Sequence, residues 1–198
     1  NYKINSISKI YQDVGKKLYK SLDAYESIKL EYGDPHKYTV ECMIGSGRFS
    51  VVFKGTCEDG SKCAIKTYRP VPIDFIKREI FFMNVVHDCP NTIQCFDLLQ
   101  DPLTGSISHV CEYVHTGRRR VEFQSFTLDE VRYYMYQLLR TLDACHSIGI
   151  MHRDVKPDNI LFDRSQEKMR LIDWGLADIY FPKQQYLTGV GTLRYRAP

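Results

Sequence analysis

The sequence predicts an α+β fold with two lobes, a small β-rich lobe followed by a mainly α-helical large lobe. In the small lobe, at about residues 34–114, short runs rich in β-branched and aromatic residues alternate with turn signals, which is typical of antiparallel strands. In the large lobe, at residues 115–198, apolar residues recur every three or four positions over 127–147, which indicates one long helix. A separate arm, residues 1–33, precedes both lobes.

The composition indicates a globular chain with a sizeable core. The chain has 198 residues, of which 43% are hydrophobic, including 10 Phe and 14 Tyr. Its formal net charge of +3 is too small to indicate nucleic-acid binding. The basic run Arg118, Arg119 and Arg120 is more simply a solvated loop than a nucleic-acid patch. We therefore expect no nucleic-acid partner.

The distribution of apolar and cysteine residues bears on the compartment. No apolar run approaches the ~18 residues of a membrane span, and charged residues interrupt the first part of the chain, so neither a span nor a signal peptide is predicted. The Cys count of 7 is odd and includes no C-x-x-C pair, so we expect neither a zinc site nor a disulfide framework. Together these features indicate a reducing compartment, cytoplasmic or nuclear.

The arm carries a regular apolar stripe. Its members are Ile4, Ile7, Ile10, Val14, Leu18 and Leu22. This three- and four-residue spacing predicts one amphipathic helix, which packs on the rest of the domain or, alternatively, on a partner protein. From residue 25 to residue 33 the periodicity fails, and we expect irregular structure there.

Residues 38–68 predict three strands with a glycine-rich turn after the first. Residues 45–52 read GSGRFSVV, in which Ser50 stands where a third glycine is common. Two glycines allow the backbone to approach triphosphate oxygens closely. Strand residues rather than a helix follow them, which disfavours a Rossmann dinucleotide site. Asp59 and Gly60 form the turn before the third strand.

Lys66 ends the third strand and is the first candidate catalytic residue. A lysine that holds phosphates needs a carboxylate to aim it, and the helical pattern at residues 73–86 carries Glu79. We predict an ion pair between Lys66 and Glu79. The alternative is an ordinary surface lysine on a strand.

Two further strands, residues 93–99 and 106–113, complete the small lobe, and residues 112–114 connect the lobes. The long helix then begins after Thr127, because Glu130 three residues later completes a capping box, and it ends before Gly149. Its predicted buried stripe is Val131, Tyr134, Leu138, Leu142 and Cys145.

The residues that follow this helix carry the chemistry. Residues 152–159 read HRDVKPDN, and residues 173–175 read DWG. Phosphoryl transfer needs an oriented acceptor hydroxyl, neutralised phosphates and fixed metal ions. Asp154 can accept the hydroxyl proton, Lys156 can reach the transferred phosphate, and Asn159 and Asp173 can bind magnesium. A solvated loop with chance charges is the alternative, which the order of the upstream motifs disfavours.

The order and spacing of these motifs resemble the eukaryotic protein kinase fold. Residues 145–157, the DWG triplet and arm residues 25–33 are more closely similar to the casein kinase II catalytic subunit family. The resemblance implies that residues 34–198 form a serine/threonine kinase domain that uses ATP and Mg²⁺. Ala64 replaces a bulkier residue over the adenine, so the use of GTP is left open.

The resemblance also implies where ATP binds. The expected ATP-binding residues are Ile44, Gly45, Ser46, Gly47, Arg48, Phe49, Ser50, Val51, Val52, Ala64, Lys66, Cys111, Glu112, Val114 and Ile172. Backbone groups of residues 112–114 are expected to hydrogen-bond the adenine.

The match departs from that family in the residues that select substrates. The family's lysine run is absent at residues 72–75, and Gly189 and Leu193 stand where it has arginines. The expected substrate-binding residues are Arg48, Lys77, Thr192 and Arg196. We therefore expect protein substrates, with a weakened preference for acidic sites.

The resemblance implies partners and control as well. A regulatory subunit dimer would dock on Val40, Phe53, Ile65 and Val110, although sheet core is the simpler interpretation of these residues. The arm would hold the enzyme active. Thr188 and Thr192 are alternative control points, since Arg153 could pair with a phosphate on the segment that follows residue 173.

The last residues, 191–198, read GTLRYRAP, and the generic kinase motif continues with a Glu. We therefore expect the large lobe to be truncated here. The alternative function is a truncated, inactive kinase-like module that acts by binding partners. The intact glycine loop and catalytic residues favour the enzyme.

Overall fold

The computed structural model describes residues 3–5, 10–21, 23–116, 124–187 and 189–196, the first of these as backbone only. The strands are β1 (Lys3–Asn5), β2 (Tyr38–Ser46), β3 (Ser50–Cys57), β4 (Lys62–Tyr68), β5 (Cys95–Gln100), β6 (Ile107–Glu112), β7 (Ile150–Met151), β8 (Ile160–Asp163), β9 (Lys168–Leu171), β10 (Asp178–Ile179) and β11 (Gln185–Leu187). The helices are α1 (Val14–Leu18), α2 (Ile73–Val85) and α3 (Leu128–Ser147). The basic run at residues 118–120, Ile7, Leu22 and Thr188 lie outside the described residues.

A five-stranded antiparallel sheet forms the first half of the α+β fold. Its strand order is β2-β3-β4-β6-β5, and α2 connects β4 to β5. The strands and the helix predicted for this half are thereby confirmed. The turn between β3 and β4 contains Gly60, whose φ of 82° lies in the left-handed region that a glycine adopts at no steric cost.

The main core lies where α2 and α3 pack against the β8–β9 ribbon. Phe82 of α2, Leu138 of α3 and Leu171 of β9 are buried there together with Trp174. The predicted capping box of α3 is confirmed, because Glu130 N donates to Thr127 Oγ1 (3.2 Å) and Thr127 N donates to Glu130 Oε2 (2.8 Å).

The buried stripe of α3 differs from the prediction at its first turn. Tyr134, Leu138 and Cys145 are buried, but Val131 is 41% exposed. Thr141 is fully buried instead, and its hydroxyl donates to Gln137 O (2.8 Å). A hydroxyl that bonds within its own helix keeps a hydrogen-bond partner when buried, which the apolar spacing does not reveal.

The single helix predicted over the arm is wrong. Residues 3–5 form strand β1, which pairs antiparallel with β11, and α1 covers only Val14–Leu18. Ile10 and Leu18 are 68% and 57% exposed, so the stripe is not one continuous buried face. Pairing of β1 with β11 satisfies the backbone groups that a helix would otherwise satisfy.

Cys95 and Cys111 form a single disulfide, which the expectation of no disulfide framework did not include. The two residues lie opposite each other in the register of β5 and β6. The odd number of cysteines argued only against a framework that uses all of them, not against one cross-strand pair. With this bond, the argument for a reducing compartment from unpaired cysteines loses its support.

The apolar residues proposed for partner docking are mostly sheet core. Ile65 and Val110 are 4% and 0% exposed, and Phe53 packs against their cluster. Val40 is 56% exposed.

Among the described helices, none combines the length and the apolar character that crossing a membrane requires.

Candidate active site

The predicted ion pair between β4 and α2 is present. Lys66 Nζ lies 2.5 Å from Glu79 Oε1 and 3.5 Å from Asp173 Oδ1. Burial lowers the pKa of Lys66, but the nearby Glu79 and Asp173 carboxylates outweigh it, so this pKa lies above its ordinary value. Lys66 is therefore a fixed cation between two elements of the site.

A buried chain of hydrogen bonds extends from this pair to the middle of the sheet. Tyr68 Oη donates to Glu79 Oε2 (3.0 Å) and lies 2.9 Å from His109 Nδ1. Because the one phenolic proton goes to the carboxylate, His109 Nδ1 must carry a proton and Nε2 must be bare. Burial and then the charge of Lys66 lower the pKa of His109 to about 3, so the imidazole is neutral.

Sequence reasoning missed Tyr68 and His109. Tyr68 lies two residues after Lys66 and therefore on the same face of β4. His109 is the register partner of Lys66 on β6. The first relation could have been found in the sequence, but the second needs the pairing of two strands that are far apart in the chain.

The carboxylate of Asp154 is buried and surrounded by donors. Lys156 Nζ lies 2.8 Å from Oδ2, and both N and Oγ1 of Thr192 donate to Oδ1 at 2.7 Å. Burial raises the pKa of Asp154, but the hydrogen bonds from Lys156 and Thr192 lower it by more. The pKa of Asp154 therefore lies below its usual value. Asp154 is thus ionised at neutral pH, and it accepts a hydrogen bond from an aliphatic hydroxyl, that of Thr192.

Asn159 and Asp173 provide the oxygen atoms that could hold a metal. Asn159 Nδ2 donates to Asp154 O (2.8 Å) and to Asp154 Oδ2 (3.1 Å), which leaves its Oδ1 as an acceptor. Ile172 N donates to Asn159 O (2.9 Å), and Asp173 is the next residue after Ile172. An amide oxygen and a carboxylate suit a hard divalent cation such as Mg²⁺.

His152 ties the loop around Asp154 to the segment that begins at Asp173. Asp154 N donates to His152 Nδ1 (3.2 Å), so Nε2 carries the proton and donates to Ile172 O (3.0 Å). The ring packs edge-on against Trp174, with centroids 4.6 Å apart. Burial lowers the pKa of His152, which keeps it in this neutral form.

The glycine-rich turn joins β2 to β3 at residues 47–49. Gly47 N donates to Ser50 O (2.8 Å), and Arg69 binds the turn from outside through Gly47 O (3.2 Å) and Ser46 Oγ (3.1 Å). Sequence reasoning did not identify Arg69. Ile44 near the end of β2 and Phe49 in the turn are exposed. Register places Val52 beside Lys66, which puts this predicted ATP-binding residue near the ion pair.

Residues 112–114 are anchored through the contacts of Glu112. Glu112 forms ion pairs with Lys168 and Arg170 of β9, each at 2.5 Å, and exchanges backbone and side-chain hydrogen bonds with Gln94. The Glu112 side chain is therefore engaged with β9 and Gln94. Cys111 before it is bonded to Cys95 and pairs in register with Ala64.

The predicted substrate-binding cations have different surroundings. Lys77 Nζ donates to Glu26 O (2.8 Å), and Arg196 donates to Gly189 O (2.7 Å) and Gly191 O (2.7 Å). Arg48 is exposed, with its guanidinium 5.1 Å from the centre of the Phe49 ring. Lys77 and Arg196 are thus engaged by backbone carbonyls of the chain itself.

Arg78 of α2 joins three parts of the molecule. Its guanidinium donates to Ala177 O (2.7 Å), lies 3.3 Å from Asp178 Oδ2 and covers the Tyr25 ring of the arm at 5.3 Å. Asp178 also pairs with Arg153, which follows His152, at 2.9 Å. The helix that carries Glu79 is therefore fastened to the arm and to the segment after Asp173.

The comparison with protein families agrees with this geometry. A family model described as the protein kinase domain matches residues 38–198, which include the sheet, the Lys66–Glu79 pair and the residues from His152 to Asp173.

Proposed function

Since the chain belongs to the protein kinase domain family, a kinase activity with ATP, a divalent metal and protein substrates is the premise, and we propose that the acceptors are serine and threonine. The observation that supports this is the Thr192 hydroxyl, which donates to Asp154 Oδ1 while Lys156 Nζ lies 2.8 Å from the same hydroxyl oxygen. The arrangement accommodates an aliphatic hydroxyl beside an ionised carboxylate and a cation.

In the proposed reaction, Asp154 orients the acceptor hydroxyl and receives its proton as the oxygen attacks the γ-phosphorus. The bond between the γ-phosphorus and the β–γ bridging oxygen breaks, and ADP leaves. Lys156 neutralises charge on the transferred group. Lys66, aimed by Glu79, holds the α- and β-phosphates. Asn159 Oδ1 and the Asp173 carboxylate would hold Mg²⁺, which when bound neutralises charge on the phosphates.

The nucleotide would lie between the glycine turn and residues 112–114. Backbone groups of Glu112 and Val114 are proposed to hydrogen-bond the adenine, because the Glu112 side chain is engaged with β9. The residues proposed to line this site are the fifteen expected from the sequence, among which Ala64, Lys66 and Cys111 share one face of the sheet.

The direct test is phosphotransfer by the 198-residue chain to a library of Ser, Thr and Tyr peptides, beside a chain extended at its C-terminus. We expect Ser/Thr-specific incorporation by the extended chain at least. Incorporation into Tyr peptides alone would contradict the acceptor class. Absence of transfer by both chains, with partner binding retained, would favour the inactive binding module instead.

We further propose that the arm keeps the enzyme active, which is what the resemblance to the casein kinase II catalytic subunit family implies. Three contacts support this: Lys77 with Glu26 O, Arg78 over Tyr25, and the pairing of β1 with β11. A fourth is Gly15, where an added Cβ would lie 2.0 Å from Tyr180 O. The arm thus contacts both α2 and the segment after Asp173.

Deletion of residues 1–33 is expected to lower the phosphotransfer rate and the melting temperature together, the latter by several degrees. Gly15→Ala should act in the same direction, because overpacking against Tyr180 costs about 1–3 kcal/mol. Lys16→Ala, at an exposed position of the same helix, is the matched control. Unchanged activity and melting temperature in the deletion variant would contradict a role for the arm.

Substrate choice is proposed to be only weakly acidic. Lys77 and Arg196 are engaged by backbone carbonyls, whereas Arg48 is exposed and lies over the Phe49 ring. On a peptide array we expect Asp or Glu near the acceptor to contribute about 1 kcal/mol per contact, and this preference should fade as salt rises. A strong demand for acidic residues that persists at high salt would overturn this proposal.

The resemblance to the casein kinase II catalytic subunit family implies that a regulatory subunit docks on the outer face of the sheet, and this docking is a proposal. Of its four residues, Val40 is the one that offers an exposed apolar surface, because Ile65 and Val110 are core. Any docking there would therefore centre on Val40 and the edge strand β2.

A further inference from the structure

The disulfide lies on the face of the sheet that carries the proposed catalytic residues. Along β6, His109 and Cys111 alternate with Val110, so both side chains point to one face. Their register partners on β4 are Lys66 and Ala64, which belong to the proposed nucleotide site. Cys111 also directly precedes residues 112–114. The bond between Cys95 and Cys111 thus fixes the strand end that leads into the proposed adenine-binding backbone.

We propose that Cys95 and Cys111 are a reversible thiol–disulfide pair whose oxidation state controls how firmly residues 112–114 are held and, through them, the affinity for nucleotide. The link to nucleotide rests on the proposed function; the redox chemistry of the pair does not. The co-reactant is a dithiol reductant or the corresponding disulfide.

A reagent can approach the disulfide from the side of Cys95. A cavity of about 780 Å³ lies between residues 28–33, α2 and β5, and both Cys95 and His109 line it. Cys95 is half-buried, whereas Cys111 is 6% exposed. A small thiol reagent that enters the cavity therefore meets the sulfur of Cys95 first, while Cys111 lies behind it in the core.

A thiolate of the dithiol attacks Cys95 Sγ, the Cys95–Cys111 bond breaks, and Cys111 leaves as a thiolate that takes a proton. The second thiol of the reagent then attacks the reagent sulfur that is bonded to Cys95. The mixed disulfide breaks, and Cys95 leaves as a thiolate that is also protonated. The protein gains two hydrogens and the reagent becomes a cyclic disulfide. Oxidation is the reverse.

The reduced pair would have a hydrogen-bond acceptor beside it. A ring nitrogen of His109 and the two sulfurs all lie within 4.8 Å of one another. The neutral ring donates from Nδ1 to Tyr68 and keeps its other nitrogen unprotonated, so the ring retains one acceptor. A buried thiol with an acceptor costs less than one without, so the core accommodates both oxidation states.

The oxidised chain should bind nucleotide more tightly. On the other side of this strand end, Glu112 is already anchored to Lys168 and Arg170. The disulfide adds a covalent anchor one residue earlier. A backbone that is fixed before adenine arrives loses less freedom on binding, which raises affinity. We expect an ATP dissociation constant roughly three- to ten-fold lower for the oxidised form.

The experiment equilibrates the full chain at defined ratios of reduced to oxidised dithiothreitol. Of the 7 cysteines, five should label after denaturation in the oxidised form and all seven in the reduced form, with residues 95 and 111 linked in the peptide map. ATP binding with Mg²⁺ and amide hydrogen exchange at residues 112–114 are then measured in both forms. We expect tighter binding and slower exchange on oxidation.

Cys95→Ser should bind ATP as the reduced form does under all conditions, and Cys42→Ser, at an exposed position on β2, should keep the full redox response. Seven labelled cysteines at every ratio would overturn the pair itself. Equal exchange at residues 112–114 in the two forms would overturn the coupling. If ATP bound to neither form, the proposed function would fail, and hydrogen exchange would still decide this proposal.

Discussion

Lys66→Met is expected to lower the phosphotransfer rate by about a thousand-fold, because it removes the cation proposed to hold the α- and β-phosphates. In the structure Lys66 lies between Glu79 and Asp173, so no neighbouring lysine of β4 can replace it there. Much of the loss should fall on the KM for ATP. Steady-state kinetics at several ATP concentrations, with circular dichroism to verify folding, measure this effect.

Lys62→Met is the matched control for this prediction. Lys62 lies on the same strand, its side chain is 46% exposed, and it pairs with Glu41 away from the site. The rate of this variant should stay within a few-fold of the parent. A Lys66→Met chain that also kept its rate within a few-fold would show that Lys66 is an ordinary strand lysine.

Asp154→Asn is expected to lower kcat by about 10²- to 10⁴-fold while ATP affinity changes little, because the amide keeps the shape of the carboxylate but cannot take the proton. The matched control is Asp158→Asn, which changes an exposed carboxylate in the same loop. Single-turnover measurements separate the chemical step from ATP binding. An Asp154→Asn enzyme with near-normal kcat would exclude Asp154 as the proton acceptor.

The same residue fixes the expected acid limb of the pH profile. The pKa of Asp154 is lowered in the folded chain, so its carboxylate stays ionised down to a pH below its ordinary value near 4. The stability that its ion pair contributes is complete above that ordinary value and is lost as the pH falls through the lowered one. Between pH 6 and pH 8, Asp154 should therefore not limit the rate.

The sequence was most informative where structure depends on neighbouring residues. Thr127 and Glu130 are three positions apart, and that spacing alone specifies the cap of α3. The Lys66–Glu79 pair could be predicted because a strand followed by a helix returns over its own sheet. In each case the interacting residues lie within about one turn or one connection of each other.

The failures came from contacts between distant segments. A stripe at residues 4–22 cannot reveal whether a partner surface exists to cover it, and residues 3–5 pair with β11 instead. The disulfide and the hydrogen bond between Tyr68 and His109 both require the register of β6 against its neighbours. That register is set by the packing of the whole sheet, so local spacing does not determine it.

The contacts of Arg78 have a consequence for the choice of inhibitors. A compound could act by selecting a conformation in which the helix that carries Glu79 has moved away from Lys66. Here such a movement would break the Lys66–Glu79 pair and the Arg78 contacts with both Asp178 and the arm at once. The displaced conformer would be thinly populated, and a ligand specific for it would lose affinity in proportion. Compounds shaped to the site with the Lys66–Glu79 pair formed are the better starting point for this protein.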